Sequence, residues 1–431
     1  GYRQSATNAA EIEAALGRIF GDIIDINTSF AAVTLPLSST NRAQADNRVF
    51  VGMFRPGADR KPRWLGNLKQ YQLAVFNGQV ELADVALERA INPQTGFAQS
   101  CATSFWTSDT SDVNVALEGN QPYFEGLALD PNPVSACSPS RLGGRSVLSD
   151  SPDGPFVEKG GAAQQIRNQS GPGGASSRVI LTESGGAIRA VDVNDFTESV
   201  YYRYLLGEDP GLRGGDAKIL LSGGSYGANP NLGVVEQMPE TGLRATIHGD
   251  IVHSRPLTVS YGTKPDGGTL FRVFYGGNDG LFRSLNPDSG AEDWAFIAPE
   301  HYSGIERQYR NTPSVDYFGL AASLSTSIEA QKKAYFFDGS TGVHATYNNA
   351  NELTTAYIFP TMRRGGRMVY GLDVSPSQGE AGQPPDAPAL LWKLGCPSPT
   401  QDSQCTPGFT NIGQTWSTPV VGFVEGYLGG G

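Results

Sequence analysis

One stretch of the chain, VFYGGNDGLFRSLNPDSGAEDWAFIAPEH at residues 273–301, restricts the possible folds more than any other. Its first two apolar segments flank Asn278-Asp279-Gly280, and Asp288-Ser289-Gly290 precedes a third segment that contains Trp294. Asn, Asp and Gly tolerate the positive φ angles that tight hairpin turns require. The stretch therefore predicts short antiparallel strands joined by two turns, with the Trp294 ring lying over a neighbouring sheet.

The same stretch contains polar residues of the types that a catalytic or metal site needs: Asn278, Asp279, Asp288, Glu292 and Asp293. Three of them lie in the two turn sequences, where Asn and Asp are favoured because of the backbone conformations they accept. We therefore interpret the whole group as part of the architecture, with its acids as turn formers, and not as a site.

Composition and an internal repeat extend this pattern to the rest of the chain. Only 17% of the 431 residues are charged, whereas Gly (54), Pro (28) and aromatic residues (10%) are abundant, which favours short strands and tight turns. Strands recur regularly from Gly249, and RMVYGLDVS with ALLWKLG (residues 367–395) repeats the order of strand, Asp, turn and Trp-containing strand. Four-stranded units of roughly 40–50 residues are typical of β-propellers, so we predict a mainly β propeller fold.

Other regions depart from the strand pattern. Residues 7–25 carry an apolar stripe at helical spacing, and we expect residues 1–45 to be the helical tail of a preceding domain. The propeller is then expected over residues 46–431. Residues 88–178 are rich in Ser, Pro, Asp and Gly, which predicts long surface insertions. A second helix is predicted within residues 195–209.

Charge and hydropathy exclude two kinds of partner. The formal net charge is −11 and the pI is about 4.9, whereas a protein that binds nucleic acid needs a basic surface. No apolar run approaches the roughly 18 residues of a membrane-spanning helix. We therefore expect neither a nucleic-acid partner nor a membrane span.

Four cysteines favour an oxidising compartment. No C-x-x-C spacing is present, which argues against zinc ribbons and thioredoxin-type redox motifs. Cys396 and Cys405 bracket a polar loop, which suits a local disulfide and leaves Cys101 and Cys137 for a second one. Four cysteines allow three connectivities, and this is the pairing we favour.

Motifs for catalysis or metal binding are weak. GGSYG (residues 223–227) fits the G-x-S-x-G pattern of hydrolases, but Pro230 prevents the helix that should follow the serine. DVNDFTE (residues 192–198) lacks the Gly of a calcium loop, and RRGGR (residues 363–367) indicates a Gly-rich turn with solvated arginines. No zinc-binding spacing joins the histidines, of which His248 and His253 are expected to hold backbone groups where a strand meets a loop. We expect no catalytic or metal-binding residue.

Sequence blocks point to a family. SLNPDSGAEDW (residues 284–294) resembles the tryptophan-docking repeat of quinoprotein-type propellers. A larger set, in matching order, resembles the PilC/PilY-type type IV pilus tip adhesins and assembly factors of Gram-negative bacteria. The blocks of this set are RWLGNLKQYQL (63–73), HGDIVHSRPL (248–257), RVFYGGNDGLFRSLNPDSGAEDWAFIAPEH (272–301), YFFDGSTGV (335–343), RRGGRMVYGLDVS (363–375) and GQTWSTPVVGFV (413–424).

The resemblance implies a modified quinoprotein-like β-propeller, incomplete in this chain, that follows a von Willebrand factor A-like or otherwise variable region. It also implies a location in the periplasm, at the outer-membrane surface and at the extracellular pilus tip. Minor pilins and a host or surface receptor are the partners it implies. The residues that carry it are regarded as fold signatures: His248, Asp250, His253, Asn278, Asp279, Gly280, Gly290, Trp294 and Trp416.

The resemblance implies a non-enzymatic adhesin and assembly factor (fimbrium) that promotes pilus biogenesis, cell adhesion and twitching motility. The family's calcium loop would follow Gly431, so we assign no calcium ligand within this chain. Two alternatives are a quinoprotein-type dehydrogenase and a periplasmic propeller scaffold without a role in pili. The dehydrogenase would need a Cys-Cys pair, which the sequence lacks.

Overall fold

The structure is a computed structural model, and three sheets form the framework of the part of the chain that it describes. The prediction of a mainly β fold is confirmed. For the first strand, residues 29–34, only the backbone is described. The residues described are 29–34, 47–57, 61–93, 98–99, 101–110, 149–170, 176–208, 243–244, 247–315, 332–377 and 382–422.

The first sheet is an antiparallel meander of four strands. These are β1 (Ser29–Thr34), β2 (Arg48–Arg55), β3 (Leu65–Phe76) and β4 (Gln79–Ala83). Asn77 and Gly78 join β3 to β4 with φ angles of 52° and 81°, which is the hairpin geometry that an Asn-Gly pair favours.

Strand β1 lies within residues 1–45, which we expect to be the tail of a preceding domain, yet it pairs along β2. Its sequence, SFAAVT, is short, uncharged and ends in β-branched residues, so it suits a sheet edge. The boundary expected near residue 45 therefore does not separate β1 from the first sheet. The helix expected at residues 7–25 lies outside the described residues.

The second sheet contains a similar meander and an added hairpin. Its strand order is β6-β5-β10-β9-β8-β7, and β5 joins β10 in parallel while the other pairs are antiparallel. The strands are β5 (Ile180–Ser184), β6 (Ala187–Ala190), β7 (Leu257–Thr263), β8 (Thr269–Gly276), β9 (Leu281–Leu285) and β10 (Glu292–Ile297).

The third sheet is again an antiparallel meander of four strands. These are β11 (Gly342–Tyr347), β12 (Leu353–Phe359), β13 (Arg367–Asp373) and β14 (Ala389–Cys396). Meanders of four strands therefore recur along the chain, and those of the second and third sheets lie after Gly249, where the sequence repeat is expected.

The second sheet packs between the other two. One of its faces meets the first sheet through a buried cluster that includes Phe50, Leu68, Phe271, Val273 and Leu285. Its other face meets the third sheet through a cluster that includes Phe274, Phe282, Trp294, Ile358 and Tyr370. Trp294 is only 1% exposed and lies beside the rings of Phe274 and Phe282 within this second cluster.

Among the described residues, three short α-helices lie beside the sheets: α1 (Gly161–Gln169), α2 (Ser199–Leu205) and α3 (Tyr302–Arg310). Helix α2 falls within the predicted range 195–209 and is shorter than it. The aromatic rings of Tyr201 and Tyr204 on α2 pack edge-on against Tyr309 on α3. Helix α1 packs against β3.

Residues 149–170 differ from the surface insertion that their polar composition predicts, because most of them are buried. Asp153 forms an ion pair of 2.8 Å with Lys69 on β3, and both side chains are fully buried. The Asn67 amide donates to the carbonyl oxygens of Val157, Lys159 and Gly160. These polar groups tolerate burial because the first sheet supplies their partners.

The disulfide between Cys396 and Cys405 is present and closes the polar loop after β14. Cys101 is also disulfide-bonded, whereas Cys137 lies outside the described residues, so the pairing of these two stays a prediction. The GGSYG motif at residues 223–227 likewise lies outside the described residues.

We predict that Gly66→Ala destabilises the protein, because the added Cβ would lie 1.9 Å from the Gly249 carbonyl oxygen where the first sheet meets the segment before β7. Overpacking of this kind costs about 1–3 kcal/mol of unfolding free energy. Gly413→Ala is the matched control, since its Cβ meets nothing within 4 Å. Urea denaturation of both variants measures the difference, and equal stabilities would contradict the close approach of these backbones.

Candidate functional site

Three segments that are distant in sequence meet where the sheets approach one another. They are the segment before β7 (residues 247–256), the turn between β8 and β9 (residues 277–280) and the segment before β11 (residues 332–341). The turn joins neighbouring strands of the second sheet, and each of the other two segments precedes the first strand of a four-stranded meander. Together they bring most of the predicted fold-signature residues into one buried polar network.

Asn278 joins all three segments. Its side-chain amide donates to Asp250 Oδ2 at 2.8 Å and to Asp338 Oδ1 at 3.2 Å, while its Oδ1 accepts from the Phe336 backbone N–H at 3.1 Å. Its own backbone N–H donates to the Asp250 carbonyl at 2.9 Å. Asn278 is thus a turn residue, as predicted, and in addition a link between segments, which its sequence context does not indicate.

Each buried carboxylate in the network has a cationic or polar partner. Asp250 lies 3.0 Å from the Lys333 ammonium group, and both side chains are almost fully buried. Burial raises the pKa of Asp250, and the Lys333 charge opposes that rise. Asp338 Oδ2 lies 2.7 Å from Nδ1 of His253.

His253 is the member of this network that reaches solvent, with 32% of its side chain exposed beside the fully buried Asp338. An imidazole oriented by a carboxylate is one part of a nucleophilic triad. Among the described residues, no hydroxyl or thiol group is hydrogen-bonded to its other ring nitrogen. The pair joins the segment before β7 to the segment before β11, so His253 binds a side chain and not the backbone groups that were predicted.

Asp279 begins a second chain of buried charges. It accepts a hydrogen bond of 2.9 Å from the Gly249 N–H and pairs with Arg283. Arg283 pairs with Glu292 at 2.9 Å, and Glu292 pairs in turn with Arg178 at 2.9 Å. Burial alone would raise the pKa of Asp279, but the Arg283 guanidinium outweighs it and holds that pKa well below its usual range. Asp279 and Glu292 are therefore ionised members of a salt-bridge chain.

The five polar residues of the stretch 273–301 that resemble a site by type therefore have different surroundings. Glu292 and Asp293 lie in β10 and not in a turn, which corrects their interpretation as turn formers. Asp288 is half-exposed and pairs with Arg48 and Lys264, and Asp293 pairs with Arg272 at 2.6 Å. Every acid in the group has a cationic partner within the fold.

Two buried histidines are held neutral. Nδ1 of His248 donates to the Gly249 carbonyl at 2.7 Å, so Nε2 accepts from the Tyr275 hydroxyl at 2.9 Å. Burial lowers the pKa of His248 to about 4, and the nearby Arg283 charge adds to this effect. His301 lies between the rings of Phe336 and Phe337, and burial lowers its pKa to about 4.

The remaining fold-signature residues lie at the edges of this arrangement. Gly280 has a φ angle of 101° and Gly290 one of 74°, which only glycine adopts readily. A Cβ on Gly290 would lie 2.5 Å from the Trp106 ring, whose indole N–H donates to the Pro287 carbonyl. Trp416 is 46% exposed and lies apart from the buried network.

One type of contact recurs at each of the three sheets. In each case a segment from later in the chain is hydrogen-bonded to a four-stranded meander, near the start of its third strand or at the turn before that strand. The donor–acceptor pairs are Gly66 N to His248 O (3.2 Å), Phe336 N to Asn278 Oδ1 (3.1 Å) and Arg363 N to Thr415 O (3.2 Å). The sequence blocks that carry the family resemblance are therefore largely the segments that form these contacts.

The described residues do not fit a calcium site. In the described part of the chain, one group of potential ligands lies close enough together to hold a metal ion, and it consists of Cys396, Asp402 and Cys405. Its two sulfurs form a disulfide with each other. Calcium requires several oxygen ligands. The oxygens of Asp250 and Asp338 already accept from Lys333, Asn278 and His253, so they are not open to a cation.

Comparison with known proteins gives one significant curated relative. The chain is 27% identical over 197 residues to the type IV pilus biogenesis factor PilY1 of Pseudomonas aeruginosa (strain UCBPP-PA14). The match covers 41% of this chain and only 14% of that protein. No protein-family model and no solved structure matches the chain. The comparison thus supports a PilY1-like relationship over part of the chain.

No helix among the described residues is long and apolar enough to cross a membrane.

We predict that Asp279→Asn lowers the free energy of unfolding by about 3–5 kcal/mol, because it leaves the buried Arg283 with an incomplete set of charged partners. Asp288→Asn is the matched control, because Asp288 is half-exposed and its ion pairs contribute about 0–1 kcal/mol. Urea denaturation at neutral pH compares the two. Equal effects of the two substitutions would argue against the buried salt-bridge chain.

We predict that stability falls as the pH decreases from 6.5 to about 4. His248 and His301 stay neutral in the fold until their pKa of about 4, whereas the unfolded residues bind protons below 6.5. Each contributes up to ~3 kcal/mol to this loss. Unfolding free energies measured from pH 7 to pH 4 test it. His248→Gln should reduce the slope, and a flat profile in the wild type would refute the assignment.

Proposed function

We propose that this chain is part of a non-enzymatic type IV pilus factor that promotes pilus biogenesis, adhesion and twitching motility. The partial similarity to PilY1, a type IV pilus biogenesis factor, is the observation that carries this proposal. Minor pilins and a host or surface receptor are the proposed partners. The proposed location is the periplasm, the outer-membrane surface and the extracellular pilus tip.

The proposed architecture is a modified β-propeller in which the three described sheets are consecutive blades. Three observations support this arrangement. The sheets contain four-stranded meanders, they pack face to face, and each is hydrogen-bonded to a segment from later in the chain. In a scaffold of this kind the buried charged groups pair with one another inside the fold. The outer surfaces are then left to contact partners, which suits a binding protein.

The chemistry of the site favours a binding protein over a dehydrogenase. A quinoprotein dehydrogenase would stack its cofactor on a pair of adjacent cysteines, whereas Cys396 and Cys405 close a loop with a sequence separation of 9. Calcium, which the family resemblance implies, is proposed without a ligand among the residues of this chain. The second proposed disulfide, between Cys101 and Cys137, suits the same oxidising location.

We predict that deletion of the gene in a piliated host reduces surface pili and twitching motility, and that the wild-type gene restores both. The Asp288→Asn gene should restore them equally well, whereas Asp279→Asn should fail because its product is unstable. Sheared-pilus immunoblots and twitching-zone diameters measure the outcome. Unchanged piliation in the deletion strain would overturn the proposal in favour of a scaffold unrelated to pili.

We also predict no enzymatic turnover when the purified protein is mixed with pyrroloquinoline quinone, calcium and primary alcohols. Dye reduction coupled to alcohol oxidation is the measurement. Turnover that the His253→Gln variant abolishes would establish the dehydrogenase alternative, because His253 is the solvent-accessible member of the polar network.

A further inference from the structure

A cationic and aromatic surface lies beside the third sheet and meets the buried network at Tyr335, whose ring centre lies 5.4 Å from the Lys333 ammonium group. The guanidinium carbon of Arg363 lies 4.8 Å from the centre of the Trp416 ring, and that of Arg364 lies 5.5 Å from it. Arg364 also lies over Tyr335, at 5.6 Å. We name these four residues the arginine–tryptophan patch. Arg364 and Trp416 are exposed to solvent, and Arg363 and Tyr335 are half-buried.

Backbone hydrogen bonds hold the patch in place. Arg363 N–H donates to the Thr415 carbonyl at 3.2 Å, and Thr415 N–H donates to the Gly366 carbonyl at 3.3 Å. The Thr415 hydroxyl accepts from the Met362 N–H at 2.9 Å. The turn that carries both arginines is thus fastened to the segment that carries Trp416. A ligand would find these groups already positioned, which lowers the entropy lost on binding.

The charges of the patch are not neutralised by the described part of the chain. Arg367, in the same RRGGR sequence, is buried and pairs with Asp402 at 2.8 Å. Among the described residues, no carboxylate forms an ion pair with Arg363 or Arg364. Two adjacent cations without acidic partners are unusual in a protein with a net charge of −11. A negatively charged partner complements them.

We propose that the arginine–tryptophan patch binds an acidic segment of a protein partner. Arg, Trp and Tyr are the side chains that dominate binding energy at protein interfaces. Guanidinium groups bind carboxylates through paired hydrogen bonds, and an exposed indole adds apolar contact area beside them. The inference deepens the proposed function, on which its biological meaning rests, since it assigns a contact surface to a partner at the pilus.

Fluorescence anisotropy of a labelled poly-L-glutamate peptide titrated with the purified protein tests the proposal. Saturable binding is expected at low salt, with no binding of a poly-L-glutamine peptide. The double variant Arg363→Gln/Arg364→Gln should weaken binding at least tenfold. Trp416→Ala should weaken it several-fold, and Trp416→Phe should recover most of the loss.

A matched control separates a defined site from general charge attraction. The double variant Arg189→Gln/Arg310→Gln removes the same charge from two exposed arginines that already pair with Asp195 and Glu306. Its affinity for poly-L-glutamate should stay within twofold of the wild type. Equal weakening in both double variants would overturn the proposal, as would no binding to the wild type.

Polygalacturonate, an acidic polysaccharide, distinguishes the class of ligand. Displacement of the peptide by polygalacturonate at a tenfold lower concentration of carboxylate would overturn the assignment in favour of an acidic glycan. The purified-protein assay does not depend on pili. Normal piliation in a deletion strain would therefore refute the proposed function, whereas failed peptide binding would refute only the assignment of the patch.

Discussion

The side-chain amide of Asn278 is the contact on which the arrangement of the second and third sheets depends. It donates to two buried carboxylates that come from different connecting segments, and its oxygen accepts from a third position in the chain. A side chain with two donors and one carbonyl acceptor can satisfy all three only in one orientation. Because unsatisfied buried groups cost about 1–3 kcal/mol each, alternative placements of these segments are disfavoured.

The charges around Asn278 extend this constraint across the molecule. Asp250 with Lys333, and Asp338 with His253, connect the segments before β7 and β11. Salt bridges from Asp279 through Arg283 and Glu292 to Arg178 connect the turn between β8 and β9 with β10 and with the residues just before β5. Buried ion pairs add little net stability over apolar packing, but losing one partner is costly. The network therefore determines which arrangement of the sheets forms more than it adds to the free energy of unfolding.

Much of the local structure follows from the sequence, because turns and strand patterns depend on near neighbours. The turn at Asn278-Asp279-Gly280, the burial of Trp294 and the Cys396–Cys405 disulfide all belong to this class. The partners of Asn278 do not, since Phe336 and Asp338 lie more than fifty positions away from it in the sequence. Asp338 lies within the quoted block YFFDGSTGV, which is the one available signal.

The sequence also does not show which polar residues are buried. Residues 149–170 are polar enough to predict a surface loop, yet Asp153 and Lys69 neutralise each other inside the first sheet's core. Composition counts such residues as exposed because it cannot see their partners. The same reasoning treats Arg363 and Arg364 as solvated turn residues, whereas their positions beside Trp416 make them a defined surface.

A double-mutant cycle on Asp250 and Lys333 tests the central claim most directly, because these residues lie 3.0 Å apart on segments that lead to different sheets. Asp250→Asn, Lys333→Met and the double variant are compared by urea denaturation. We predict a coupling energy of about 2–3 kcal/mol, with the double variant more stable than the sum of the single effects implies. Additive effects within about 0.5 kcal/mol would contradict a network that joins the sheets.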